Sequence, residues 1–393
     1  MSKQNKNNTP RLRFPGFTGE WEEKTLGDSF KERIEKNRED LPLLSLGENG
    51  LAYQSETMRK DNSNADKSKY LRVALGDIAY NTMRMWQGRC VFVDKEGIVS
   101  PAYTVCQPRE GIDSMFHYYL FKTHNMIEKF HQNSQGLVND TLNLKFEAFS
   151  KIKYFLPPTL AEQQKIAECL MAIDGQISAQ SQKVEALKEK KKGMMQQLFP
   201  QKGETTPRLR FPEFTGEWEE KKLGDITNNE DNRRRPISKT ERKAGEYPYY
   251  GANGVQDYVD DYIFDGDYLL VGEDGSVLTK ENTPVINWVS GKFWVNNHAH
   301  VLSQKGDTSL KLISYILSTV KIDGRVTGIP PKLNQENLNT ILVSIPGSPI
   351  EQQKIADCLS ELDTLIAAET AQLESLKDHK KGLMQQLFPQ PAK

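Results

Sequence analysis

The segment YNTMRMWQGRC (residues 80–90) places Asn81, Arg84, Gln87 and Arg89 around one tryptophan. Arg, Asn and Gln can form two parallel hydrogen bonds with a base edge, Arg with guanine and Asn or Gln with adenine. Met85 and Trp86 in the same stretch suit core packing equally well. A second candidate is NRRRPISKTERK (232–243), with six basic residues and one acidic. Its Arg233, Arg234 and Arg235 have the charge to contact phosphates, although a bare charge run is more often a solvated loop. Residues 257–274 then carry seven acidic side chains and no basic one. NNHAH sets His298 and His300 on one strand face, where two metal ligands are conceivable. With no third ligand nearby, a packed or hydrogen-bonded pair is expected, and no metal.

Catalytic chemistry finds little support. There is no NPPY- or DPPY-like tetrapeptide for amino-methyl transfer, and no G-x-G-x-x-G after a strand for a methyl donor. EWEEK and EKK satisfy the Glu-x-Lys part of a nuclease motif by composition, in the repeated leader or on the tail. No catalytic residue is assigned. The 52 basic and 53 acidic residues leave a net charge of −1, so charge alone names no partner. A mean hydropathy of −0.64 and the lack of any long apolar run predict no membrane span. The N-terminus has no signal-peptide core. Cys90, Cys106, Cys169 and Cys358, none at C-x-x-C spacing, are expected to be buried thiols in a cytoplasmic protein.

The frame for these candidates is written twice. TPRLRFPGFTGEWEEKTLGD (9–28) returns as TPRLRFPEFTGEWEEKKLGD (206–225), with 18 of 20 positions identical. A 40-residue tail, 162–201, aligns without a gap on 351–390, with 24 identities. The blocks between leader and tail share little: GENG (47–50) with GANG (251–254), and residues 140–158 with 331–347. Two copies of one module, with common flanks and divergent centres, are the simplest reading. Such a chain presents two versions of a variable surface on one frame.

Each tail has apolar residues at alternating steps of four and three. The first has Ile166, Leu170, Ile173, Ile177, Val184 and Leu187; the second has Ile355, Leu359, Leu362, Ile366, Leu373 and Leu376. This 3.5-residue period predicts a coiled coil. A parallel pair would set Lys191 against Lys380 in the seam, where like charges repel. An antiparallel pair lets each lysine stem lie along apolar surface near Leu362 or Ile173, with its head in water. The antiparallel pair is therefore expected, with a pseudo-twofold relation between the halves. Both centres read as mixed strands, turns and short helices, including one helix over 113–130 and its counterpart over 310–320. The expected fold is α/β mixed (α+β): two globular domains joined by two long antiparallel helices. The expected borders are 1–158, 159–201, 202–347 and 348–393.

The paired PRLRFP-x-FTGEWEE leaders, the EQQKIA starts of the tails and their KKGMMQQLFP and KKGLMQQLFP ends resemble the specificity subunit of type I restriction–modification enzymes. NTMRMWQGRC and GIVSPAY also resemble recognition-domain segments of that family. The resemblance implies a non-catalytic DNA-binding subunit whose two target recognition domains each read half of a split double-stranded target. The helical pair would set the unread gap and dock two modification subunits. Methylation with S-adenosylmethionine would belong to those partners, and ATP- and Mg-dependent translocation and cleavage to restriction subunits. This chain would carry no cofactor. No base-contacting residue is transferred from the family. By residue type, the candidates are Asn81, Arg84, Gln87 and Lys145 in the first block, with Arg233, Arg234, Arg235, Asn253, Lys332 and Asn334 in the second. The alternatives are a scaffold of tandem α/β modules that ignores DNA, or a self-contained DNA methyltransferase or nuclease.

Overall fold

The computed structural model describes residues 8–47, 50–57, 63–138 and 141–390. The chain divides into two compact units. One comprises residues up to Ser181 and those from Ala371; the other is Gln182–Thr370. Each unit thus takes part of both tails.

The divergent centres share one sheet. In the first unit it is antiparallel, in the order Phe30–Glu32, Tyr103–Pro108, Ile78–Asn81, Cys90–Phe92. In the second the order is Thr227–Asn229, Ala299–Gln304, Tyr268–Gly272, Ile286–Val289, again antiparallel throughout. A sheet needs only that apolar residues recur on its buried face, so this topology outlasts the loss of sequence identity. A separate two-stranded ribbon ties each leader to its unit: Glu22–Thr25 with Lys153–Leu156, and Glu219–Lys222 with Leu342–Ile345. Helix Ser114–Phe121, capped by Asp113, corresponds to Leu310–Leu317, capped by Ser309. The helix expected over 113–130 is in fact two. Thr123 sits between them and caps His124–Asn133 with its side chain, because a hydroxyl that bonds nearby backbone favours a helix start over an interior. Segments 97–106, 261–276 and 291–302 each hold two strands divided by a turn. The second unit adds another four-stranded sheet, in the order Gly254–Val259, Ala244–Gly251, Lys292–Val295, Phe264–Asp265. Gly251 pairs with Gly254 in a tight hairpin, as Gly47 does with Gly50; Glu48 and Asn49 of GENG lie outside the described residues, as does Asp140.

The tails are helices Leu160–Leu198 and Pro349–Leu387, 39 residues each. Pro349 is the first helical residue, where its missing N–H and fixed φ cost nothing. Within the first unit, Ile166, Ala167 and Leu170 share a core with Leu383, Met384, Leu387 and Phe388. Within the second, Ile355, Ala356 and Leu359 share one with Met194, Met195, Leu198 and Phe199. In both, the start of one tail meets the end of the other, so the helices are antiparallel. Along the seam, Ile173, Val184 and Leu373 are buried, and Ile177, Leu187, Leu362, Ile366 and Leu376 half-buried. The seam lysines do not reach for water. Lys380 Nζ lies 2.6 Å from Asp174, and Lys191 is paired with Asp363. Each carboxylate also accepts a tyrosine hydroxyl at 2.7 Å, Asp174 from Tyr119 and Asp363 from Tyr315. The ammonium heads sit 5.3 Å and 4.9 Å from those two rings, within cation–π range. Cys90 and Cys106 are buried thiols, whereas Cys169 and Cys358, on the helices, are only half-buried.

The repeated motifs meet at the helix starts. Arg13 makes a two-point pair with Glu162 at 2.7 and 2.8 Å, and Trp21 donates to the same carboxylate at 3.2 Å. Arg210 holds Glu351 in the same way at 2.7 and 2.9 Å. Glu162 and Glu351 are each 1% exposed. The next residue of each EQQKIA accepts a backbone N–H from the loop before the short helix: Gln163 from Asp113 and Gln352 from Ser309, both at 2.9 Å. The leader also bonds a helix end, Leu12 N to Gln386 O and Leu209 N to Gln197 O.

His117 lies wholly buried beneath the first sheet. Its Nδ1 donates to the Asp113 carbonyl at 2.7 Å, and its Nε2 accepts from Tyr154, 2.8 Å away. Burial pushes its pKa down to about 4, against the weaker opposing effect of the Asp113 carbonyl. The unfolded chain, with histidine near 6.5, then binds more protons between those values. Stability is intact above pH 6.5 and should fall by roughly 1.4 kcal/mol per pH unit down to about 4. Denaturant titrations of wild type and His117→Asn from pH 7 to 5 check this: an unchanged slope in the variant would refute it.

Candidate nucleic-acid interface

Strand Ile78–Asn81 runs out into a loop over 82–89. Asn81 is spent on the turn, its Oδ1 accepting from Met83 N at 2.9 Å. Met85 is buried. Trp86 is half-buried, donates to the Met83 carbonyl at 3.0 Å, and meets His131 edge-on at 5.8 Å. These anchors leave Arg84, Gln87 and Arg89 exposed, with no side-chain hydrogen bond or ion pair among the described residues. Lys145 is exposed as well, and its segment is held to the loop by Leu144 N donating to Thr82 O at 2.8 Å. Three candidates, Arg84, Gln87 and Lys145, thus share one edge, and Arg89 joins them.

The second unit repeats the connection. Strand Tyr268–Gly272 leads into a loop over 273–285, and Leu333 N donates to Glu273 O at 2.8 Å. Gly275 N donates to Pro331 O at 3.1 Å. Topology therefore pairs loop 82–89 with loop 273–285, a correspondence invisible in their sequences.

Most candidates of the second unit have structural employment. Arg234 is largely buried, bonded to Glu273 at 2.6 Å and to the Ala299 carbonyl at 2.8 Å, with Asp231 at 3.3 Å. Arg233 stacks over Phe264 at 4.5 Å and donates to the Ile263 carbonyl at 3.2 Å. The triple arginine is therefore no free arm; only Arg235 is exposed with no side-chain partner among the described residues. Lys332 pairs with Glu273 at 3.1 Å but stays half-exposed. Asn334 caps helix Gln335–Asn339 through Asn337 N at 2.8 Å. Asn253 is exposed in the outer hairpin turn. Charge-run reasoning missed these pairings because the acidic partners lie 39 and 59 residues away, or close by on the far side of a turn.

The two histidines part company. His298 is exposed and paired with Asp274. His300 is buried, 2.6 Å from Asp231 and 2.7 Å from the Leu333 carbonyl. Asp231, Glu273 and His300 offer atoms within 4.8 Å of one another, close enough for a metal ion. A carbonyl can only accept, so His300 Nε2 carries a proton and donates it to Leu333, which leaves Nδ1 facing the two carboxylates. Arg234 touches both carboxylates, and Lys332 touches Glu273. Burial opposes the Asp231 carboxylate, but His300, Val301 N–H and Arg234 together hold its pKa below the ordinary value. The cluster reads as an internal ion network that fastens segment 333 to the sheet.

Comparison with known proteins adds the family. The model for the type I restriction modification DNA specificity domain matches residues 18–189 and again 215–378. A putative type I restriction enzyme specificity subunit from Haemophilus influenzae is 35% identical over 149 residues; that match spans 37% of this chain and 38% of the relative. A type I restriction enzyme specificity subunit from Methanocaldococcus jannaschii is 23% identical, over 94% of this chain and 92% of its own. Among solved structures, the type I S subunit of M. genitalium covers 98% of this chain and 100% of its own at 16% identity, with a TM-score of 0.68. A chain from a structure concerned with assembly and conformational transition of the type I R-M system gives 0.52 at 14% identity, covering 95% of this chain and 98% of its own. These two likenesses concern the fold.

Proposed function

Because the chain belongs to the type I restriction–modification DNA specificity family, we propose that each of its units reads one half of a split duplex target. The observation that carries this reading is the matched pair of loops, 82–89 and 273–285, set on the same strand of the same sheet yet unlike in sequence. Phosphate contacts position such a protein, and base-edge contacts select the sequence. Arg84, Gln87, Arg89 and Lys145 serve the first half-site. Loop 273–285, with Lys332, Arg235 and Asn253, serves the second. Each lost base match costs about 1–3 kcal/mol.

In this reading the tail helices set the number of unread base pairs and dock two modification subunits. Methyl transfer with S-adenosylmethionine belongs to those subunits, and ATP- and Mg-dependent cleavage to restriction subunits. This chain is non-catalytic and works in the cytoplasm. Among the described residues, no helix is long and apolar enough to cross a membrane.

The test is genome-wide mapping of N6-methyladenine in cells expressing the modification partner with and without this chain. A split motif with a fixed gap, present only with the chain, is expected. Replacing residues 226–347 by the corresponding block of another family member should change one half of that motif and leave the other intact. An unchanged methylome, with partner activity verified, would overturn the reading. Change in both halves would refute the assignment of one unit to one half-site.

A further inference from the structure

Each unit holds a bare aliphatic side chain at the same place. In the first, Leu137 is 101% exposed and Val138 60%; in the second, Ile329 is 102% exposed. All three stand on hairpins whose bases are closed by reciprocal hydrogen bonds. Gln135 and Asn143 exchange bonds of 2.9 and 2.8 Å, as Thr327 and Lys332 do. A glycine at positive φ precedes each tip, Gly136 at +154° and Gly328 at +84°. A Cβ on Gly136 would come within 2.6 Å of the Thr141 carbonyl, so that hairpin is built around the missing side chain. Both hairpins lead directly into the segments tied to the reading loops, through Leu144 N to Thr82 O and Leu333 N to Glu273 O.

One exposed leucine is unremarkable in any protein surface. Two at equivalent positions, in blocks that otherwise lost their likeness, on braced hairpins beside the reading loops, call for a function. The setting indicates the occupant. The groups flanking the tips are Lys145 and Asn143 in one unit, and in the other Lys332, half-exposed beside Glu273, with Asn334 capping the helix that follows. An apolar point of one or two residues amid basic and amide groups is too small for a protein interface. It matches the pattern by which aliphatic wedges enter between base steps while nearby cations hold the phosphates.

We propose that Leu137, with Val138, and Ile329 are DNA wedges, each partly unstacking one base step at its own half-site. This rests on the half-site reading above. The wedge widens the groove at that step and presents the adjacent bases to the reading loop. It also favours half-sites with a flexible pyrimidine–purine step at the point of entry.

The experiment uses the complete complex of this chain with its modification partner, on duplexes carrying the mapped target. 2-Aminopurine is placed in turn at each position other than the methylated adenines, and its fluorescence reports unstacking. Wild-type complex should brighten one step per half-site. Leu137→Ser should abolish the first signal only, Ile329→Ser the second only, and each should weaken target binding about ten-fold or more. Leu137→Met and Ile329→Met, which keep an apolar tip, should retain the signals. Full brightening in the serine variants would overturn the wedge, as would absence of any such signal with wild type bound to its target. Serine variants that no longer assemble with the modification partner would also overturn it and assign the tips to protein docking. Failure of wild type to prefer the target over unrelated duplex would instead sink the half-site reading itself.

Discussion

Arg13→Ala should cost the first unit about 3–5 kcal/mol, the range for breaking a buried ion pair from one side. Glu162 is 1% exposed and accepts two bonds from Arg13 and one from Trp21. Without the guanidinium, a carboxylate remains in low dielectric with a single indole donor. The same chemistry predicts a similar loss in the second unit for Arg210→Ala, since Arg210 binds Glu351 at 2.7 and 2.9 Å. The double variant Arg13→Ala, Glu162→Ala should recover part of the loss, because no uncompensated charge stays behind. Urea unfolding followed by tryptophan fluorescence gives the numbers. A single-variant loss below about 1 kcal/mol, the range of solvated pairs, would show that these pairs do not anchor the helices.

Leu170→Ala and Leu359→Ala should each cost about 2–5 kcal/mol, the usual range for emptying a filled core site. The two leucines occupy matching places in the repeat, and both are wholly buried. Leu170 packs with the first unit's core around Trp21, Phe116 and Leu387, and Leu359 with the second's around Trp218, Leu312 and Leu198. Ile177→Ala and Ile366→Ala, at seam positions that are only half-buried, should cost visibly less, since solvent or neighbours can fill what they vacate. This ranking separates two pictures of the tails. If the helices were held only by each other, mid-seam truncations would match those at the ends. If each end is an integral part of a globular core, the leucines dominate. Equal losses at all four positions would reject the second picture.

These energetics explain why the leaders and tails stayed alike while the centres diverged. Arg13, Trp21, Glu162 and Gln163 form one polar joint, and Arg210, Glu351 and Gln352 repeat its core. A substitution in such a joint strands a buried partner. A reading loop has no such constraint. Arg84, Gln87 and Arg89 touch no partner among the described residues and can change without unfolding anything. The seam lysines follow the same logic as the joint. The like-charge objection to a parallel pair gave the correct direction. It did not reveal that Asp174 and Asp363 would take the ammonium heads, because that depends on which residue of the opposite helix faces the slot.

The sequence by itself determined the duplication, the two long helices, their antiparallel sense and the family. The first three rest on periodicity, identity between segments and local charge, and the family on the resemblance of the repeated motifs, all of them one-dimensional properties. Tertiary structure alone decided which polar residues are free to meet a ligand. Arg233, Arg234 and Asn334 look like contact residues by type, yet Phe264, Glu273 and Asn337 claim them. Structure also decided that loops 82–89 and 273–285 correspond, and that Leu137 and Ile329 stand at equivalent tips. The physical reason is common to both. Whether an arginine is a tool or a brace depends on carboxylates and carbonyls brought beside it by strands tens of residues away. Sheet topology, which tolerates almost any apolar residue on its buried face, makes those neighbours without leaving a readable trace in the chain.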